Sequence, residues 1–273
     1  MGFIINLIPH VLIITQYGFD LEGPMPSYMY VLIGVCYSMY MYFDNCDGKQ
    51  ARRTGNSSPL GMILDHQCDV IVSVINSFII QRMLQTGNDS DTLFTMYITT
   101  LPFYFVLLEQ YYTGEMNFPP VNGVDEGTLI YFVFAMLTAY YGSNELWLES
   151  SVNLMGYDMN YMQVFKLVCR VMLPNCALIG MYMIYSKSHY PHFKKVWNAS
   201  YYALQALFYI LSLGTFHIGS IYSAGQVWKT HPRVFQMAHG LQYIYVCLIL
   251  QYCMVTLEQV NPFKRTVVLG LVL

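Results

Sequence analysis

Four aspartates stand in two pairs: Asp44 and Asp47 three residues apart, Asp65 and Asp69 four apart. In a helix, either spacing puts both carboxylates on one face, about one turn from each other. Four carboxylates brought together repel strongly unless cations lie between them. Hard divalent ions with oxygen ligands, Mg²⁺ or Mn²⁺, are the natural counter-charge. Four Asp can hold two such ions, an arrangement that clamps a phosphate or pyrophosphate. The stretch from Asp44 to Asp69 contains seven of the chain's 29 Asp, Glu, Lys and Arg residues in 26 of its 273 positions.

The residues between the pairs suit the same chemistry. Gly48 follows the second Asp, and Gly61 lies one helical turn before the third. Without side chains, both let a ligand or a neighbouring helix approach the backbone closely. Ala51 is small for a similar reason, and the planar fork of Arg52 suits phosphate oxygens. Pro59 fits the first turn of a helix carrying Gly61, Asp65 and Asp69, with Ser57 or Ser58 as its cap. The whole reads D-x-x-D-G-x-x-A-R, eight residues, then G-x-x-x-D-x-x-x-D.

The elements that must position these groups are apolar. The chain is 55% hydrophobic and 11% charged, with 25 Tyr, 16 Phe and 18 Met. A soluble protein carries roughly 25% charged residues. Runs of membrane-spanning length fall near 2–17, 28–43, 60–84, 92–112, 128–143, 163–185, 201–222 and 234–256, with a further run at 266–273. They predict an all-α, polytopic transmembrane helical bundle of about eight or nine spans in a single domain over 1–273. The first run begins at residue 2 and the last is cut by the chain end, so both termini read as incomplete. The net charge of −3 offers no basic footprint for nucleic acid. The seven Cys form no C-x-x-C pair and read as small buried hydrophobes.

Lysine and arginine set the orientation. With Asp44–Asp69 on the cytosolic side, alternating spans also place Lys49, Arg52, Arg53, Lys187, Lys194, Lys195, Lys264 and Arg265 there. Arg82, Lys229 and Arg233 fall opposite, with Lys166 near a span end. The bias favours a cytosolic Asp segment. Asn88 opens a glycosylation sequon on the other side, too near the membrane for use. Arg170 lies inside a span and reads as facing the bundle interior.

The spacing of the Asp segment resembles the signature of the CDP-alcohol phosphotransferase family. "DGKQARRTGNSSPLG" followed by "DHQCD" is similar to its eukaryotic choline/ethanolamine phosphotransferase branch. "EQYYTGEMNFPPVNGVDEG" and "HPRVFQMAHG" resemble later parts of that branch. The resemblance implies transfer of phosphoethanolamine or phosphocholine from CDP-ethanolamine or CDP-choline to diacylglycerol, with release of CMP. It implies two Mg²⁺ or Mn²⁺ ions on Asp44, Asp47, Asp65 and Asp69, and a nucleotide received by Gly48, Ala51, Arg52 and Gly61. A membrane of the endoplasmic reticulum or Golgi is implied as well, as is a homodimer.

For the proton of the lipid hydroxyl, the branch places a His directly after the third Asp, here His66. Its near-neutral pKa suits a general base, and Asp69 is the competing base. Glu109, which ends an apolar span, and Asn122 and Glu126 in the following loop are weaker candidates for the substrate pocket. Two positions depart from the branch: Gln67 replaces a Gly, which would trim the headgroup pocket, and Val70 replaces a Ser. The interfacial helix and P-N motif expected before the first span are missing. The readings that compete are a catalytically inactive truncated paralogue and a divalent-cation or lipid transporter using the acidic cluster as its ion site.

Overall fold

The structure, a computed structural model, describes residues 1–87, 92–114, 116, 125–186 and 230–258. The predicted spans 201–222 and 266–273, the sequon at Asn88 and the candidate Asn122 lie outside the described residues.

Seven α-helices account for most of the described chain. They are α1 (Gly2–Tyr17), α2 (Ser27–Thr54), α3 (Pro59–Met83), α4 (Thr92–Thr113), α5 (Asp125–Tyr141), α6 (Tyr161–Ser186) and α7 (Pro232–Thr256). Among the described residues, α3, α4, α6 and α7 are long and apolar enough to cross a membrane, and α1 is a shorter apolar helix. The 25 residues of α3 rise about 37 Å at 1.5 Å each, enough for a hydrocarbon core of about 30 Å. Large apolar side chains such as Leu64, Leu137, Val171, Leu178 and Leu241 remain exposed on the outer helix faces. That is the inverse of a water-facing surface and suits a polytopic membrane bundle.

The core has two lobes joined by one helix. Val70, Val74 and Phe78 of α3 pack with apolar residues of α4, α6 and α7. Ile79 and Met83, further along α3, pack with Ile13 of α1, with Met29, Tyr30 and Ile33 of α2, and with Tyr131 and Ala135 of α5. The helix carrying Asp65 and Asp69 is therefore gripped from both sides. Between α3 and α7 the approach is close: a Cβ at Gly240 would run into Val74 Cγ1.

One departure from the all-helical expectation is small. A π-helical turn (Glu145–Glu149) leads into an antiparallel hairpin, β1 (Ser151–Leu154) and β2 (Tyr157–Asn160). Met155 and Gly156 at its tip have φ of 52° and 89°, which suits a tight hairpin turn. Asn153 secures it by accepting from Gly156 N at 3.0 Å and donating to Asp158 at 2.8 Å. Arg170 lies on the exposed face of α6 rather than in the bundle interior, and with Lys166 it lines a cavity of about 510 Å³ next to β2. Helical periodicity alone does not say which way that face of α6 turns.

Candidate metal and nucleotide site

The α2–α3 turn that carries the Asp segment is set locally. Gly55 ends α2 in the left-handed region at φ 69°, a conformation that suits glycine. Ser58 then caps α3: its hydroxyl oxygen accepts from Gly61 N at 3.0 Å, and Pro59 occupies the first turn. Only residues 55–58 separate the two helices. The C-terminal half of α2 and the first turns of α3 are thereby folded against each other with their acids facing.

One carboxylate oxygen from each of Asp44, Asp47 and Asp65 lies within 4.8 Å of the other two. Asp47 is exposed, whereas Asp44 and Asp65 are half-buried. Asp44 stands just past the apolar part of α2. Burial, and after it the Asp47 charge, pushes its carboxyl above the usual carboxylate range. This set of hard oxygen donors at one interface fits a divalent cation. Asp69 completes the group from one turn deeper. Its carboxyl lies within hydrogen-bonding reach of Asp44, and it accepts a hydrogen bond from the Tyr40 hydroxyl.

The motif residues around the cluster divide by role. A Cβ at Gly48 would meet only Arg52, at 3.5 Å from Nη1, so protein packing does not demand the glycine. A glycine there keeps the space beside Asp47 clear. At Gly61 the reason is local: a Cβ would stand 3.2 Å from the capping Ser58 Oγ. Ala51 is half-buried and Arg52 exposed, which leaves the guanidinium accessible from the water side.

The other predicted residues separate from the acids. The His66 ring meets Phe103 of α4 edge-on, with centroids 6.5 Å apart, and its buried Nδ1 has no hydrogen-bond partner. Gln67 turns toward α7. Its amide donates to Gln251 of α7 at 2.7 Å, tying the acidic helix to α7. Glu109 is buried in α4 at the same end of the bundle, where the neighbouring Gln110 meets Met62 of α3. Glu126 is half-buried near the start of α5, two residues before Thr128, whose side chain shares a hydrogen bond with Tyr37 of α2.

Tyr40 is a site residue that spacing analysis passed over. It stands four residues before Asp44 on the same helix face and is almost fully buried. Its position in an apolar, Tyr-rich run hid it.

Comparison with known proteins adds the wider context. A family profile described as CDP-alcohol phosphatidyltransferase matches residues 4–155. The chain is 40% identical over 144 residues to the Dictyostelium discoideum protein named uncharacterized CDP-alcohol phosphatidyltransferase class-I family protein 3, covering 52% of this chain and 36% of the relative. It is 35% identical over 149 residues to choline/ethanolaminephosphotransferase 1 of Arabidopsis thaliana, covering 55% and 37% respectively. With choline/ethanolaminephosphotransferase 1 of Saccharomyces cerevisiae the identity is 30% over 141 residues, covering 52% and 36%. The chain thus spans well under half the length of these curated relatives.

Proposed function

The chain belongs to the CDP-alcohol phosphatidyltransferase family, and on that premise we propose that it is an integral-membrane phosphotransferase. It moves phosphoethanolamine or phosphocholine from the CDP-alcohol to the free hydroxyl of diacylglycerol. The phosphorus–oxygen bond to CMP breaks, a bond to the lipid oxygen forms, and the hydroxyl proton passes to a protein base. The convergence of Asp44, Asp47 and Asp65 within 4.8 Å, backed by Asp69, carries this reading.

Each group has a task. Asp44, Asp47, Asp65 and Asp69 would hold two Mg²⁺ or Mn²⁺ ions, which when bound supply charge neutralisation at the pyrophosphate. Arg52, exposed beside Gly48, pairs with nucleotide phosphate oxygens, and the small residues at 48 and 51 leave room for the CDP group. Tyr40 fixes the Asp69 carboxylate. Since Asp69 is already engaged by Tyr40 and Asp44, His66 takes the proton of the lipid hydroxyl in this reading, with Asp69 the competing base. The site faces the cytosol, on a membrane of the endoplasmic reticulum or Golgi, where a soluble nucleotide meets a lipid acceptor.

The test is CMP release by the chain reconstituted with diacylglycerol, with CDP-ethanolamine and CDP-choline run side by side under Mg²⁺ or Mn²⁺. Release that needs both diacylglycerol and the metal supports the reading, and the faster donor identifies the headgroup. No release with either donor sinks it. Loss of turnover in Asp69→Asn with a mild His66→Ala effect would move the base to Asp69.

A further inference from the structure

At the end of the bundle away from the acids, two arginines are buried without an ion pair among the described residues. Arg82 lies in the last turn of α3 and is 3% exposed; Arg233 lies in the first turn of α7 and is 1% exposed. Both reach the chain between α1 and α2. Arg82 Nη1 donates to Asp20 O at 2.6 Å, and Arg233 Nη1 donates to Gly18 O at 3.4 Å. Nε and Nη2 of Arg233 are buried and have no hydrogen-bond partner, and Arg82 Nε has none either.

These orphans are not scattered. Nε and Nη2 form one edge of the guanidinium, the edge that grips a carboxylate or phosphate with two parallel hydrogen bonds. In Arg233 that whole edge is buried and unpartnered. Each guanidinium lies near aromatic faces: Arg82 is 4.9 Å from the Tyr17 centroid, and Arg233 is 5.6 Å from Phe78 and 6.0 Å from Phe19. The Asp20 charge acts on both, but neither arginine forms an ion pair within 4.0 Å among the described residues. Two like charges so placed repel each other, and buried charges are costly unless paired.

Position favours an external anion. Gly18, whose carbonyl meets Arg233, is exposed, and Phe19 beside it is 57% exposed, so the chain that covers Arg233 itself lies at the surface. Both arginines stand at the ends of helices long and apolar enough to cross a membrane, and the ends of such helices meet the headgroup layer when they span a bilayer. We propose that Arg82 and Arg233 form an anion site at this end of the bundle, taking a phosphate group on the unpartnered Nε–Nη2 edge of Arg233 once the exposed chain over it gives way. The phosphate comes from an anionic phospholipid headgroup or from the free ion.

The experiment uses the full chain in neutral detergent with a metal chelator, carrying Asp47→Ala so that the acidic cluster cannot recruit phosphate through a metal. Thermal unfolding is followed against short-chain phosphatidic acid, inorganic phosphate, and diacylglycerol of the same chain length. Phosphatidic acid raises the unfolding midpoint beyond whatever rise diacylglycerol, the proposed acceptor, gives by binding the native chain, and that excess is the signal of the arginine site. A rise with phosphatidic acid alone assigns a lipid headgroup, and a rise with both anions assigns the free ion as sufficient. Arg233→Gln abolishes the excess rise, and Arg233→Lys, which keeps the charge but loses the fork, weakens binding at least about tenfold. Should the variants fail to fold, native mass spectrometry of the unaltered chain with phosphatidic acid reads the same binding. No response to either anion, or an equal response in Arg233→Gln, overturns the site. Neither result depends on CDP-alcohol turnover, so a failure here leaves the proposed reaction untouched, and the reverse holds.

Discussion

At one end of the bundle Asp44, Asp47, Asp65 and Asp69 stay partly open to water, crowded together without a basic partner in the cluster. At the other end Arg82 and Arg233 are almost wholly enclosed, held by backbone carbonyls and aromatic rings. Both ends concentrate like charge, but the exposure differs. Exposed carboxylates can exchange a soluble ligand and its ions from the water phase. Buried guanidiniums are costly unless a counter-charge pairs with them, so an anion there would be held rather than exchanged. The difference in exposure is what separates the two proposed roles: exchange of a soluble substrate at the acidic end and retention of an anion at the arginine end.

The contrast can be tested by graded damage. Asp47→Ala removes the most exposed ligand of the acidic cluster. It should cut CMP release at least about a hundredfold while leaving anion binding at the arginine end intact. A variant with full turnover would remove the metal site from the mechanism. Gly240→Leu attacks the α3–α7 contact that joins the two ends, because its side chain would collide with Val74. It should lower stability by about 1–3 kcal/mol, read by thermal unfolding in detergent, and weaken both sites together. If only one site suffers, the ends are less coupled than the shared helix implies.

Smaller changes sharpen the acidic end. Tyr40→Phe deletes one hydroxyl from the Asp69 carboxylate. Turnover should fall about tenfold, as expected for a hydrogen bond to a charged group, with a matching loss of apparent Mn²⁺ affinity. An unchanged rate would mean that Asp44 alone positions Asp69. Gln67→Ala and Gln251→Ala each break the 2.7 Å bridge between α3 and α7. Each should cost about 1 kcal/mol, and the double variant should cost less than the sum of the two. Strict additivity in unfolding measurements would show that the bridge contributes no coupling.

Much of the acidic site was legible because its logic is local. Spacings of three and four in helical runs bring carboxylates to one face, and Gly55, Ser58 and Pro59 mark a helix end and a helix start. Six of the seven described helices fall within a few residues of an apolar run in the sequence; α2 continues past its run into the charged segment. Gln67 bonds to Gln251, 184 positions along the chain, a partner that no local spacing names. Tyr40 was invisible for the same kind of reason: its hydroxyl works across to α3, not along α2. Arg82 and Arg233 read only as charges on the side opposite the acids, and their enclosure depends on how the segment around Gly18 and Asp20 folds back over them.

The sequence alone determined the acidic chemistry, the family resemblance, the helical architecture and the α2–α3 turn, since each follows from residue type and a period of a few residues. Tertiary structure decided what crosses between helices: that Tyr40 holds Asp69, that His66 faces Phe103, that Gln67 reaches Gln251, and that two arginines lose their water. Those outcomes depend on the rotation and depth at which one helix meets another. Packing of the whole bundle sets both, and no local spacing encodes them.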